Sequence, residues 1–250
     1  MNRLHKENPI LFAVLWIVVY VMGLSLADNA SASLGIEKAV TLPLALVLSL
    51  VLYSWISRQN LKEYCGLCPS AVPESRLLWY FPLGALASVN LWFGVTMNLS
   101  VPETVLYVAS MFCVGFLEEV IFRGLLFQAM VPLGLKTAVA VSSLTFGMGH
   151  LINLINGSGA ALFASLLQVV YAFAAGFLFT ILFLRTGSIR ACILTHGVLN
   201  ALSAFANEAA RTTGRDIFSA AALTLIALGY AAYILKVTES RTCKTAENRP

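Results

Sequence analysis

Two adjacent carboxylates, Glu118 and Glu119, and a guanidinium four residues later, Arg123, lie inside an apolar run from about Val105 to Met130. That run is long enough to cross a bilayer. An ionised side chain at the centre of a spanning helix costs about 2.5–3.5 kcal/mol on insertion scales, so three of them call for a reason in packing or chemistry. Of the three histidines, His5 is in a basic N-terminal segment, whereas His150 and His196 lie in or at the end of apolar stretches. Asn200 follows His196 by four residues, which puts imidazole and carboxamide on one helix face, a turn apart. The same spacing, acid before base, lets Glu119 and Arg123 pair along their helix. Glu118 is turned by about 100° from that pair, onto the face of Val114, Gly115 and Phe122, where glycine permits close approach. A buried carboxylate can act as a general base toward water, and imidazole and carboxamide N–H groups can stabilise an oxyanion. Together these groups suit hydrolysis of an amide.

The competing reading is that these polar groups only tie helices together. It accounts for Glu119 and Arg123, but it leaves one carboxylate, two imidazoles and an amide without counter-charge in apolar surroundings. For Gln168, Tyr171 and Ser165, of which the first two share a face, helix-to-helix hydrogen bonds are the better reading. Ser142, Ser143 and Thr145 precede His150 without a G-x-S-x-G elbow, and hydroxyls of this kind commonly bond back to their own helix. A serine nucleophile is therefore disfavoured. Cys65 and Cys68 form a C-x-x-C with no second pair and no neighbouring histidine, so a redox or metal role is the weaker reading, and the odd total of five cysteines implies no disulfide framework.

The elements that must position these groups read as membrane helices. The chain is 59% hydrophobic and 11% charged, with a mean hydropathy of +0.83, against roughly a quarter charged in soluble domains. We expect an all-α, polytopic integral membrane bundle of about eight transmembrane helices. Their approximate bounds are Ile10–Leu26, Ala39–Ile56, Leu77–Met97, Val105–Met130, Leu135–Ile152, Ala160–Leu184, Ser188–Ala206 and Ile217–Leu235, followed by a polar tail; Asn153–Gly159 reads as a turn. Ala30-Ser-Ala32 after the first helix offers an alternative reading as a signal-peptide cleavage site. With both ends inside, twelve of the sixteen Lys and Arg residues fall on the cytoplasmic side and only Lys38, Arg211 and Arg215 outside, Arg123 being intramembrane. This supports an N-in, C-in arrangement. No basic face is gathered for nucleic acid, and that partner is set aside. Counted from the cytoplasmic helix ends, His196 lies about 12 Å deep, Glu118 about 18 Å and His150 over 20 Å, so the helices must tilt or start deeper for the three to meet.

Three motifs, Glu118-Glu-Val-Ile-Phe-Arg123, Phe146-Gly-Met-Gly-His150 and His196-Gly-Val-Leu-Asn200, occur in order on separate helices. At these residues the sequence resembles the CPBP family, the type II CAAX prenyl protease and bacteriocin-processing (Abi) group of intramembrane endopeptidases. The resemblance covers about 105–206, within a single membrane domain of 1–250; three additional helices fill 1–104, and the last helix and tail fill 207–250. It implies that Glu118, with His150, activates a water, that His196 and Asn200 stabilise the oxyanion, and that Glu119 and Arg123 support them. No cofactor is expected; the alternative is zinc held by Glu118, His150 and His196, although no H-E-x-x-H pairing is present. The resemblance further implies a peptide or membrane-protein substrate and a multi-pass protein of the cell membrane, by analogy a bacterial cytoplasmic one, acting in peptide maturation, immunity or signalling. The alternatives are a non-catalytic immunity or binding protein and, less favoured, a proton-coupled transporter.

Overall fold

Asn8 and Pro9 start the first long helix: the Asn8 side chain accepts from the Leu11 N–H, and proline fills a first-turn position where no N–H is needed. A computed structural model describes residues 1–151 and 162–238 of the chain. A short α1 (Asn2–Glu7) precedes α2 (Pro9–Leu34), which ends on Gly35 in the left-handed region. Next come α3 (Thr41–Arg58) and a short α4 (Phe81–Ala87). α5 begins at Val101 and is helical to Glu119, continues through wide π turns over Val120–Phe127 and an α turn Gln128–Met130, and closes in a tight turn Val131–Leu133. The rest are α6 (Leu135–Gly149), α7 (Leu162–Thr186), α8 (Arg190–Leu202) and α9 (Thr213–Val237).

The protein is all-helical, with five helices among the described residues long and apolar enough to cross a membrane: α2, α3, α5 extended to Leu133, α7 and α9. It is a multi-pass membrane protein. The expectation of a spanning helix over Leu77–Met97 fails. Glu74–Tyr80 forms tight turns in which Leu78, Trp79 and Tyr80 all take positive φ, α4 has only seven residues, and Val95 bridges to Ala206 in extended backbone. Hydropathy registers the apolar content of this segment but not its breaks, where Pro82 lacks an N–H and Gly84 and Gly94 weaken helix. The expected spans Leu135–Ile152 and Ser188–Ala206 are helices of 15 and 13 residues, about 20–22 Å long against a hydrocarbon core of about 30 Å. Ile152, the turn Asn153–Gly159, the Ala160 start of the sixth helix and the tail beyond Thr238 lie outside the described residues.

Local sequence fixes how the site-bearing helix starts. Ser100 and Glu103 form a capping box, each side chain satisfying the other's backbone N–H, and so start α5 four residues before the expected Val105. Within the wide turn the Phe122 carbonyl accepts from the Ser142 hydroxyl of α6, so a neighbouring helix supplies an external partner where the regular ladder is interrupted. Two apolar clusters hold the bundle. One gathers Phe12, Trp16, Tyr20 and Leu24 of α2, every fourth residue, against α5, and the other packs α7 and α9 together.

Candidate active site

Glu119 and Arg123 are paired as their spacing predicts, Arg123 Nη1 to Glu119 Oε1 at 2.9 Å with both side chains fully buried. The second Arg123 amino group donates to the Gly176 carbonyl of α7, and the guanidinium lies 4.1 Å from the Phe146 ring centroid. Glu119 has a further partner that spacing did not reveal: its Oε1 also meets His196 Nδ1 at 2.9 Å. The other imidazole nitrogen, Nε2, is 3.6 Å from Glu118 Oε2. A line of polar contacts therefore runs Arg123, Glu119, His196, Glu118 across α5 and α8.

That line depends on an unusually close crossing of the two helices. A Cβ at Gly115 would lie 2.7 Å from the Gly197 backbone nitrogen, and one at Gly197 would lie 2.7 Å from the Phe112 ring. Only hydrogen fits at either position, and each glycine is within four residues of the acid or imidazole it brings together.

Glu118 borders a cavity of about 570 Å³ shared with Phe146, His150, Gln168, Tyr171 and Asn200. His150 and Asn200 thus meet Glu118 across one space, although among the described residues no direct hydrogen bond joins either of them to it. His196 is not part of the cavity wall; it is buried behind Glu118. Whatever their depths counted along the sequence, His150 at the end of α6, Asn200 near the end of α8 and the mid-helix Glu118 line one cavity.

Tyr20 was missed by sequence reasoning. Its hydroxyl, on α2, donates to Glu118 Oε1, and its ring is nearly buried at 8% exposure. The signal was present. Interfacial belts place tyrosine at the ends of spans, whereas Tyr20 sits mid-span, and a buried phenol there needs a partner. Gln168 was assigned a bland inter-helix role; its side-chain nitrogen lies 3.5 Å from His150 Nδ1, in the cavity. Ser143 and Thr145 bond back to their own helix as expected. Cys65 is fully buried, and desolvation pushes its thiol up to about 12, which disfavours the thiolate a redox pair needs. Cys68 donates to the Gly187 carbonyl. No group of three His, Cys, Asp or Glu side chains among the described residues is placed to hold a metal ion.

Residues 100–202 match the family described as type II CAAX prenyl endopeptidase Rce1-like. Over this segment the chain is similar to that family. The Rce1-like segment begins at the cap of α5 and ends with α8, so it contains every site residue expected from the sequence. Tyr20 lies outside it, on a helix that the Rce1-like match does not reach. Comparison with curated proteins and with solved structures gives no match. The Rce1-like family is one of proteases, and the match supports a protease reading for the chain that carries this segment.

Proposed function

We propose that the protein hydrolyses a peptide bond with Glu118 as the base that activates water. The observation that carries this reading is the setting of that one carboxylate: it faces a cavity, with Oε1 held by the Tyr20 hydroxyl and Oε2 beside His196 Nε2. Charge balance assigns the neighbouring roles. Glu118 and Glu119 are two anions and Arg123 is one cation, so a protonated His196 makes the cluster neutral, the favoured state in an apolar interior. Glu119 accepts the Nδ1–H, and Nε2–H then points toward the space beside Glu118. At 3.6 Å the two are too far apart for a normal hydrogen bond, so in this reading the Nε2–H reaches the developing oxyanion as the Glu118 carboxylate turns toward the water. The Asn200 carboxamide supplies a second donor from the cavity wall, and His150, held near Gln168, helps Glu118 orient the water. The attacking water gives its proton to Glu118, which returns it to the leaving amine as the tetrahedral intermediate collapses. Comparison of membrane and released peptides from cells carrying wild-type protein or Glu118→Gln tests the reading: the variant accumulates uncut substrate, and an identical peptide profile refutes it.

Two further outcomes follow from the geometry. Tyr20→Phe removes the hydroxyl that fixes Glu118 Oε1 and keeps the ring. We expect a fall in kcat of about tenfold or more, the cost of losing a hydrogen bond to a charged group, with KM and melting temperature near wild type. We also propose a metal-free route. Zinc would need Glu118, His150 and His196 as a set, yet His196 Nδ1 is engaged by Glu119 and its Nε2 stands behind the carboxylate rather than in the cavity. Purified enzyme taken through exhaustive chelation keeps its rate; loss of activity that zinc restores would overturn this assignment.

A further inference from the structure

The cavity lining runs out to charged side chains at one end of the bundle, and the charged loops distinguish that end from the other. Its wall is built from the C-terminal ends of α2, α6 and α8 and the N-terminal halves of α5, α7 and α9, and its mouth is a collar of charged side chains. In the collar Lys38 pairs with Asp28 at 2.7 Å, Arg211 lies 3.4 Å from both Glu208 and Asp216, and Arg215 stacks 5.0 Å from the Phe93 centroid. Asp28, Arg211 and Glu208 are about half exposed, at 46%, 54% and 60% of their side chains, so solvent reaches the cavity here. This end carries three basic residues, Lys38, Arg211 and Arg215, among five acidic ones, Asp28, Glu37, Glu103, Glu208 and Asp216. Among the described residues the opposite end carries Arg3 and Lys6 before α2, Arg58, Lys62 and Arg76 after α3, Lys136 before α6, Arg185 and Arg190 between α7 and α8, and Lys236 closing α9, with Glu7, Glu63 and Glu74 as its acids. Lysine and arginine in short loops near span ends are retained on the cytoplasmic side.

We infer that the active-site cavity opens away from the cytoplasm, and that the substrate is a polypeptide segment exposed on the extracytoplasmic side. The inference names the substrate class for the site proposed above and so rests on that reading. A segment entering from this side passes a mixed collar, where acidic and basic side chains can each meet the opposite charge. It then reaches an apolar shaft that includes Leu24, Met111, Val114 and Leu223 before arriving at Glu118. A prenylated tail confined to the cytoplasmic leaflet would meet the opposite end, where α1, the 59–76 loop and the α7–α8 connection pack.

The side of the membrane is read directly by labelling intact cells with a membrane-impermeant maleimide, scored above the background of the parent chain. Glu208→Cys, at the collar, labels in intact cells, whereas Lys62→Cys, at the opposite end, labels only after permeabilisation. Independently, a C-terminal alkaline phosphatase fusion is inactive and a C-terminal green fluorescent protein fusion is fluorescent. The reverse labelling, equal labelling of both positions in intact cells, or an active phosphatase fusion overturns the inference. None of these measurements depends on cleavage, so they stand apart from the Glu118→Gln comparison that judges the protease reading.

Discussion

Glu118→Gln lowers turnover by about two to four orders of magnitude, the usual worth of a positioned general base, while the protein accumulates in the membrane at the wild-type level. The two halves of this expectation have separate causes. The amide keeps the size of the acid, and its carbonyl oxygen still accepts from the Tyr20 hydroxyl, so packing between α2 and α5 is preserved. The lost property is basicity: an amide oxygen cannot take a proton from water near neutral pH. A folded, inert variant is therefore the expected result, measured as initial rate on a cleaved peptide alongside thermal unfolding in detergent. Wild-type turnover would remove Glu118 from the chemistry.

Arg123→Met has the larger effect on folding. The guanidinium is wholly buried, paired with Glu119 and sandwiched near Phe146 and Phe179, so its removal leaves the buried Glu119 and its neighbour Glu118 as two anions with His196 as their one cationic partner. Breaking a buried pair from one side costs about 3–5 kcal/mol, enough to deplete the folded protein, and a steep drop in melting temperature is expected. The double variant Glu119→Leu with Arg123→Met removes both charges and should recover much of that stability, since apolar replacements of buried pairs are often neutral. It should not recover activity, because His196 Nδ1 then has no acceptor to orient the ring or balance its charge. A double variant that folds and cleaves at the wild-type rate would show the pair to be structural only.

Much of the site was legible because it obeys helix-local rules. The Glu119–Arg123 pair follows from a spacing of four, and the singling out of Glu118 follows from the 100° turn to its neighbour. The aromatic and imidazole of Phe146 and His150, and the shared face of His196 and Asn200, are likewise one-helix facts. The rest was hidden where partners are remote in sequence. Nothing near Tyr20 announces a bond to a residue 98 positions away, and nothing near His196 announces that Glu119 serves two partners. The break at Leu78, Trp79 and Tyr80 was hidden for another reason: hydropathy averages composition over a window, and three consecutive positive φ values leave no compositional trace. The same averaging turned two short helices, α6 and α8, into full spans.

The contact of Gly115 with Gly197 bears on how such a site can diversify. Because the two main chains touch, the separation of Glu119 from His196 is set by peptide groups, not by the volumes of side chains that drift under mutation. The residues lining the far side of the cavity, such as Leu167, Tyr171 and Leu223, carry no such duty. On the proposed function, selection can reshape that wall to fit new peptides while the Glu119–His196 spacing stays fixed, so a lineage can exchange substrates without rebuilding its chemistry.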